Sequence, residues 1–145
     1  MKLSVLCYIS KSGKALMLHR IKKESYLTNG RYDKWNGLGG KIEPDESPEE
    51  AILRELEEEL GTKKLTILQK LPFNISFDFP LTNQKYRGQI TTLFLLEYYG
   101  EPSELKPKTA EIKEAYFIPI ESVEKTLTFK ETKEAINKAK ELRLF

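Results

Sequence analysis

The sequence predicts a single layered domain of the α/β or α+β class over residues 1–145. Strand-like hydrophobic runs alternate along the chain with two amphipathic helical stretches, which is typical of this class. A length of 145 residues and a hydrophobic content of 39% suffice for one buried core. No apolar run reaches the roughly 18 residues of a membrane span, and the apolar start is too brief for a signal peptide. We therefore expect a cytoplasmic protein with no membrane partner.

The chain begins with a predicted β-hairpin. Residues 2–9 and 15–19 are hydrophobic runs separated by the turn formers at 10–13. Cys7, the only cysteine, lies among apolar neighbours, so we expect a buried thiol, no internal disulfide and a reducing compartment. His19, the only histidine, lies on the second predicted strand. We interpret it as structural, so Ser–His or Cys–His nucleophilic catalysis has little support.

A polar segment follows the hairpin. Residues 20–34 contain the turn-forming pair Asn29-Gly30 and predict a loop. The glycine-rich stretch Trp-Asn-Gly-Leu-Gly-Gly comes next, at residues 35–40. We expect this part of the chain to reach a ligand.

The clearest helix start lies at Ser47. Its side chain can cap the helix, Pro48 suits the first helical position, and Glu50 completes a capping box. The helix is predicted to end near Leu60, because Gly61 stands where a left-handed residue usually terminates a helix. Four apolar residues recur at helical spacing and should face a core: Ile52, Leu53, Leu56 and Leu60.

The second half of the chain continues the alternation of strands and helix. The predicted elements are strand-like segments over 64–79 broken near Pro72, a long strand over 86–99, a loop over 102–109, a strand over 115–120 and a helix over 132–142. The last helix should turn four residues inward: Ala135, Ile136, Ala139 and Leu142.

Charge is distributed unevenly along the chain. Between Glu43 and Glu59 there are nine acidic residues and a single basic one, Arg54, whereas the whole chain carries 24 basic and 22 acidic residues. A concentrated acidic segment in an otherwise basic protein suits a cation site that also receives a polyanion. The alternative is a solvated acidic helix face.

Three carboxylates share one side of the predicted helix. Glu55 lies three residues before Glu58 and four before Glu59, so the three repel one another by roughly a few tenths of a kcal/mol per pair. A hard divalent cation such as Mg²⁺ or Mn²⁺, which prefers oxygen ligands, would relieve that repulsion. Arg54 lies one turn before Glu58 and can hold a carboxylate through its planar fork, or form an ordinary surface ion pair.

These residues resemble the Nudix signature, G-x5-E-x7-R-E-U-x-E-E-x-G-U, in which U is a bulky aliphatic residue. The matching positions, within the 23 residues from 40 to 62, are Gly40, Glu46, Arg54, Glu55, Leu56, Glu58, Glu59 and Gly61. Every charged and glycine position agrees, and Thr62 stands in place of the final aliphatic residue.

The resemblance implies an α/β/α sandwich with a mixed central sheet and a loop–helix–loop catalytic motif. It implies Mg²⁺, with Mn²⁺ as a substitute, held by these groups: Glu55, Glu58, Glu59, the carbonyl of Gly40, and Glu111 from a later loop. Glu46 and Arg54 would orient the loop and the helix. Glu58 or Glu59 would accept the proton of the attacking water, unless a residue of a later loop does so.

The activity that the resemblance implies is hydrolysis of a phosphoanhydride bond in a nucleoside diphosphate derivative. The substrate that we expect first is a nucleoside or deoxynucleoside triphosphate, which includes those with an oxidised purine base. Its products would be a monophosphate and pyrophosphate. ADP-ribose, NDP-sugars, dinucleoside polyphosphates and the 5′ end of RNA are alternatives. A Nudix-like module that senses a nucleotide without cutting it is a further one. The sequence leaves open RNA binding and whether the chain is a monomer or a homodimer.

Residues 34–41 resemble the segment before the motif in MutT-like pyrophosphatases. By that resemblance Asn36 would contact the base and Trp35 would stack or pack. Lys41 would contact phosphate or remain solvated, and Phe129 would stack on the base or anchor the core before the last helix. Residues 126–131 contain no adjacent Asp pair, which weighs against an oxidised purine.

Overall fold

The chain folds as a mixed β-sheet with helices on both faces, so the predicted α/β class and the sandwich architecture are confirmed. The structure is a computed structural model and describes residues 2–21, 33–78, 87–108 and 112–144. Its elements are β1 Lys2–Lys11, β2 Lys14–Ile21, β3 Asp33–Asn36, β4 Leu38–Lys41, α1 Pro48–Leu60, β5 Leu65–Asp78, β6 Gly88–Tyr98, β7 Ile112–Pro119, α2 Val123–Thr126 and α3 Lys130–Glu141.

Strand β1 organises the sheet. It runs parallel to β6, whose far side pairs with the antiparallel strand β5. On its other side β1 pairs with β4, and with β2 only at Ser10↔Ala15 and Lys11↔Lys14. The predicted hairpin is therefore present, but its strands diverge after two residue pairs, and β2 continues between β3 and β7.

Glycines allow the tight connections around β1. Ser12 and Gly13 form the hairpin turn with φ of 49° and 77°, the positive values that a two-residue turn requires. Gly37 joins β3 to β4, and a Cβ there would overlap the carbonyl oxygen of Cys7. The glycine-rich residues 35–40 thus lie largely in β3 and β4. The loop predicted over residues 20–34 was too long, because residues 20–21 belong to β2 and residues 33–34 to β3, and its residues 22–32 lie outside the described residues.

Alternation along β1 divides the core between the two helices. Val5, Cys7 and Ile9 pack on the α1 side, whereas Leu6 and Tyr8 pack on the α3 side. The expected burial of Cys7 is confirmed, and that burial raises the pKa of its thiol. No helix in the described residues has the length and the apolar character needed to cross a membrane.

The predicted bounds of α1 are confirmed. Ser47 accepts a hydrogen bond from the Glu50 amide at 3.1 Å, the Glu50 side chain accepts one from the Ser47 amide at 3.2 Å, and Gly61 closes the helix with φ of 66°. One inward residue was wrong: Leu53 is 46% exposed. Ala51 is buried in its place, because the face that packs on the sheet begins at residues 51 and 52.

The last helix begins at Lys130, two residues before the predicted start. Ala135, Ile136 and Ala139 are buried as expected, together with Thr132. Leu142 is 50% exposed because the helix has ended at Glu141, so its inward placement was wrong.

The predicted break near Pro72 was also wrong. Strand β5 runs without interruption through residues 65–78. Its register against β6 shifts between Lys70 and Asn74, so Pro72 lies in an irregular stretch of an edge strand, where a missing amide proton removes no regular ladder bond.

Candidate active site

The loop before α1 is a compact turn built around Glu46. The Glu43 amide donates to the Glu46 carboxylate at 2.9 Å, and the Glu46 amide donates back to the Glu43 carbonyl at 3.2 Å. Asp45, at the tip of the turn, has a positive φ of 63°. This geometry presents the Glu46 carboxylate to the helix.

Arg54 ties this loop to the helix. Its guanidinium donates two hydrogen bonds to Glu46, at 2.7 and 3.0 Å, and one to the Lys41 carbonyl at 2.8 Å. It donates two more along the helix, to Glu55 at 2.9 Å and to Glu58 at 3.2 Å. All five N–H groups of the guanidinium are thereby used. The hydrogen bond from Arg54 holds the pKa of the Glu46 carboxyl below its usual value.

Glu55 is the most enclosed of the three helix carboxylates. Its side chain is 12% exposed and lies against the backbone of Gly40, where a Cβ would overlap the carboxylate. Burial raises the pKa of Glu55, the hydrogen bond from Arg54 opposes that rise, and the charges of Glu59 and Glu58 add to it. Gly40 is therefore needed for space, which the motif spacing alone did not reveal.

Glu58 and Glu59 differ in exposure. The Glu58 side chain is 58% exposed and is held by the hydrogen bond from Arg54. Glu59 is half-buried, and its charge adds to the effect of burial on the Cys7 thiol, which raises the pKa of that thiol. One face of α1 therefore carries an enclosed, a half-buried and an open carboxylate.

The charge balance of this face suits a divalent cation. The last turn of α1 contains no basic residue, so its carboxylates add to the negative end of the helix dipole. Three carboxylates, those of Glu46, Glu55 and Glu58, surround the guanidinium of Arg54, and oxygen donors are the ligands that Mg²⁺ and Mn²⁺ prefer. Within the described ranges, no three acidic, histidine or cysteine side chains converge closely enough to form a finished metal cage.

The segment after β6 closes the end of the helix. The Lys108 amide donates to the Glu59 carbonyl at 2.8 Å, and the Lys108 side chain lies over Gly61. Thr62, the one departure from the signature, accepts a hydrogen bond from the Lys64 amide at 3.1 Å and so stabilises the turn that leaves the helix. Glu111 lies outside the described residues and stays a prediction.

Asn36 lies at the junction of β3 and β4, and the oxygen of its side-chain amide is hydrogen-bonded. Its Oδ1 accepts hydrogen bonds from the Gly37 amide at 2.9 Å and from the Tyr8 hydroxyl at 3.4 Å. No hydrogen bond is found for its Nδ2 among the described residues. Sequence reasoning missed Tyr8 here, because a tyrosine in an apolar strand predicts a core residue, and Tyr8 is indeed buried.

The Trp35 ring packs against two neighbouring aromatic rings. Its ring stacks on His19 with centroids 4.5 Å apart and lies 6.2 Å from the ring of Tyr116. The Trp35 amide donates to the Thr128 hydroxyl at 2.7 Å, and the Thr128 amide donates to the Trp35 carbonyl at 3.1 Å. This placement agrees with the packing alternative, and a contact of Trp35 with a substrate stays a prediction. His19, whose Nδ1 is 3.4 Å from the Glu114 carboxylate, belongs to the same layer.

The two remaining predicted contacts differ. Phe129 is 6% exposed and meets Phe77 edge-on at 6.0 Å, which agrees with a core anchor. Lys41 is exposed, and its backbone carbonyl accepts from Arg54. Their contacts with a substrate stay predictions.

Comparison with known proteins agrees with this geometry. Residues 1–141 match the NUDIX domain family. An RNA pyrophosphohydrolase from a Nitratiruptor species is 37% identical over 67% of this chain and 66% of its own length. One from Gluconacetobacter diazotrophicus is 37% identical over 50% of this chain and 47% of its own. The matches thus span about half to two thirds of these relatives.

Solved structures share the fold over nearly the whole chain. The MutT protein from Methanosarcina mazei Go1 superimposes with a TM-score of 0.73 at 23% identity, covering 98% of this chain and 94% of that one. The E. coli dihydroneopterin triphosphate pyrophosphohydrolase gives 0.71 at 18% identity, covering 94% and 92%.

Proposed function

Because the chain belongs to the NUDIX domain family, we propose that it is a divalent-metal-dependent pyrophosphohydrolase that cleaves a phosphoanhydride bond of a nucleoside 5′-triphosphate group. The observation that carries this proposal is the fully bonded Arg54, which fixes the loop at Glu46 and the carboxylates of Glu55 and Glu58 in one arrangement. Such preorganisation of acidic groups has no evident purpose in a purely structural helix.

The metal would be held by Glu55, Glu58, Glu59 and the Gly40 carbonyl, with Mg²⁺ as the working ion and Mn²⁺ as a substitute. Once bound, the ion would neutralise phosphate charge and make water more acidic. Arg54 keeps the ligands in register, because a guanidinium with five bonds cannot turn without breaking several. Gly40 has no side chain of its own and so leaves room for the Glu55 carboxylate beside its backbone.

Glu58 is the best placed of these residues to take the proton of the attacking water. It is the most open of the three carboxylates, so water can reach it, and the Arg54 bond at 3.2 Å fixes its direction. The leaving pyrophosphate takes both electrons of the broken P–O bond, and the new P–O bond forms to the water oxygen.

Asn36 would select the base. Its oxygen is already used by Gly37 and Tyr8, so only its NH₂ group can face a ligand. An amide NH₂ group can donate to two acceptors on one edge of guanine, O6 and N7, but to only one on the same edge of adenine, N7, because N6 of adenine is itself an amino donor. A guanine nucleotide should therefore be cleaved faster than an adenine nucleotide.

The 5′-triphosphate end of RNA is the first candidate substrate, and free nucleoside triphosphates are the second. The relatives at 37% identity are named RNA pyrophosphohydrolases, and the basic remainder of the chain suits a polyanion. The sequence alone placed the free triphosphate first, because residues 34–41 resemble the segment before the motif in MutT-like pyrophosphatases, although the catalytic motif itself does not distinguish the two substrates.

A substrate panel tests the proposal. Purified protein with Mg²⁺ would be given 5′-triphosphorylated oligoribonucleotides beginning with G or A, GTP, ATP, ADP-ribose and a dinucleoside tetraphosphate. We expect pyrophosphate release from the G-initiated RNA with the highest kcat/KM, and slower release from GTP. If no compound is hydrolysed while a nucleotide still binds, the protein is a sensing module and the enzymatic proposal fails.

A further inference from the structure

A cleft that is not lined by the acidic residues of α1 lies on the α1 side of the sheet, at the end where β1 turns into β2. Its volume is about 390 Å³, within the range of sites for small organic ligands. Leu16, Ala115 and Phe117 form its floor, Pro102 and Leu105 line it from the loop after β6, and Lys11 and Lys14 stand at the turn. We propose that this cleft binds a nucleoside phosphate, with the base on the apolar floor and the phosphate at the two lysines.

Strand register places the floor and the lysines on one face. Lys11 is paired with Lys14, Leu16 with Phe117, and Leu18 with Ala115. Directly paired residues point to the same side of a sheet, and so do alternate residues along a strand. The apolar floor and the positive charges therefore face the same space, whichever rotamers the lysines adopt.

The two lysines place two positive charges side by side at the turn. Like charges directly opposite on neighbouring strands are destabilising, and neither lysine has an ion pair among the described residues. The Lys11 ammonium lies 5.6 Å from the centroid of the Tyr98 ring. A bound phosphate would relieve the repulsion.

The loop after β6, which lines one side of the cleft, is held by its own hydrogen bonds. Pro102–Glu104 forms a 3₁₀ turn with a capping box, and Glu104 accepts a hydrogen bond from Lys64 at 2.9 Å. That bond is the main reason why the pKa of Glu104 lies below its usual value. Glu104 is therefore hydrogen-bonded by Lys64, and the charge of Lys11 also contributes, as a smaller effect, to the lowered pKa of Glu104. The Glu104 carboxylate thus offsets only part of the positive charge at the turn.

The ligand class follows from the combination of an apolar floor and a positive rim. Phe117 stacks with Tyr98 at 6.3 Å between centroids, so the floor includes an aromatic surface on which a flat base can lie. A free mononucleotide and a nucleotide within an RNA chain share this chemistry. Neither requires hydrolysis, so the proposal stands apart from the catalytic one.

NMR titration can locate the binding. We would add AMP, GMP or a short 5′-monophosphorylated oligoribonucleotide to ¹⁵N-labelled full-length protein without metal. The amides of Leu105, Ala115 and Phe117 should shift and saturate. In the double variant Lys11→Gln/Lys14→Gln the dissociation constant should rise about tenfold, because two charge-assisted contacts are lost. Lys125→Gln, an exposed lysine on α2, is the matched control and should bind as the unaltered protein does.

The outcomes separate the possibilities. Shifts with the mononucleotides identify a free nucleotide as the ligand, and shifts with the oligoribonucleotide alone identify a segment of RNA. Shifts confined to the amides of Asn36, Gly37 and Gly40 would overturn the proposal, and so would equal affinity in the double variant. A spectrum that keeps its dispersion confirms that the double variant is folded. Failure of hydrolysis in the substrate panel would leave this result unaffected.

Discussion

Replacing Arg54 by lysine tests the arrangement on which the catalytic proposal depends. The five hydrogen bonds of the guanidinium, at 2.7 to 3.2 Å, reach Glu46, Lys41, Glu55 and Glu58. A lysine ammonium has three donors on one nitrogen atom and cannot bridge these groups. At least two bonds are therefore lost.

The expected loss of stability follows from those bonds. Each contributes about 0.5–1.5 kcal/mol net, and the Arg54 side chain is 26% exposed, so we expect the free energy of unfolding to fall by about 2 kcal/mol. For a domain of this size that lowers Tm by roughly 6 °C. Misplaced metal ligands should also reduce kcat/KM and Mn²⁺ affinity by about 10- to 100-fold.

The assays are urea unfolding without metal, steady-state pyrophosphate release and Mn²⁺ titration. Lys63→Arg, at an exposed ion pair just beyond the same helix, is the control and should leave all three unchanged. A double-mutant cycle of Arg54→Lys with Glu46→Gln should give a coupling energy of about 1–2 kcal/mol. If Arg54→Lys keeps kcat/KM and Mn²⁺ affinity within twofold, Arg54 is an ordinary surface ion pair and the reasoning is refuted.

Three further predictions concern single residues of the same region. Gly40→Ala should lower kcat/KM at least tenfold with little change in Tm, because its Cβ displaces only the movable carboxylate of Glu55. Gly39→Ala should instead lower Tm in thermal unfolding, because its Cβ meets the Val5 backbone. The reverse pattern in the two variants would contradict this prediction. Glu55→Gln should stabilise the metal-free protein. Because the pKa of Glu55 in the folded protein is raised above its ordinary value of 4.5, the stability that the protonated side chain contributes is present below pH 4.5 and is lost as pH rises through the folded pKa. In the presence of a chelator, the free energy of unfolding of Glu55→Gln should therefore exceed that of the unaltered protein by more at pH 8 than at pH 4. Gly61→Ala should cost about 1 kcal/mol in urea unfolding, because residue 61 has φ of 66°; no loss would show that the helix end relaxes freely.

Local signals predicted the catalytic helix well. Ser47, Pro48 and Gly61 act through contacts within a few residues, so the bounds of α1 follow from the sequence. The spacing of Glu55, Glu58 and Glu59 likewise implied that they share one side of α1, since a helix fixes those directions, whereas the place of Glu46 in the loop followed from the resemblance.

Features that depend on distant strands were not predictable in this way. The exposure of Leu53 depends on which helix face meets the sheet, and the continuity of β5 through Pro72 depends on its place at the sheet edge. The use of the Asn36 oxygen by Tyr8 joins residues 28 positions apart. The cleft at Lys11 and Lys14 needs β7 as its floor, which hairpin reasoning does not supply.

The most direct test of the account compares two substitutions on the same helix. Glu59→Gln removes a carboxylate of the site face, whereas Glu57→Gln removes an exposed one that lies 3.5 Å from Lys63. Mg²⁺-dependent pyrophosphate release from a G-initiated 5′-triphosphorylated RNA should fall at least 100-fold in Glu59→Gln and remain unchanged in Glu57→Gln, given the usual effect of removing a transition-state contact. Equal activity in the two variants would contradict the claim that this face of α1 holds the metal and performs the hydrolysis.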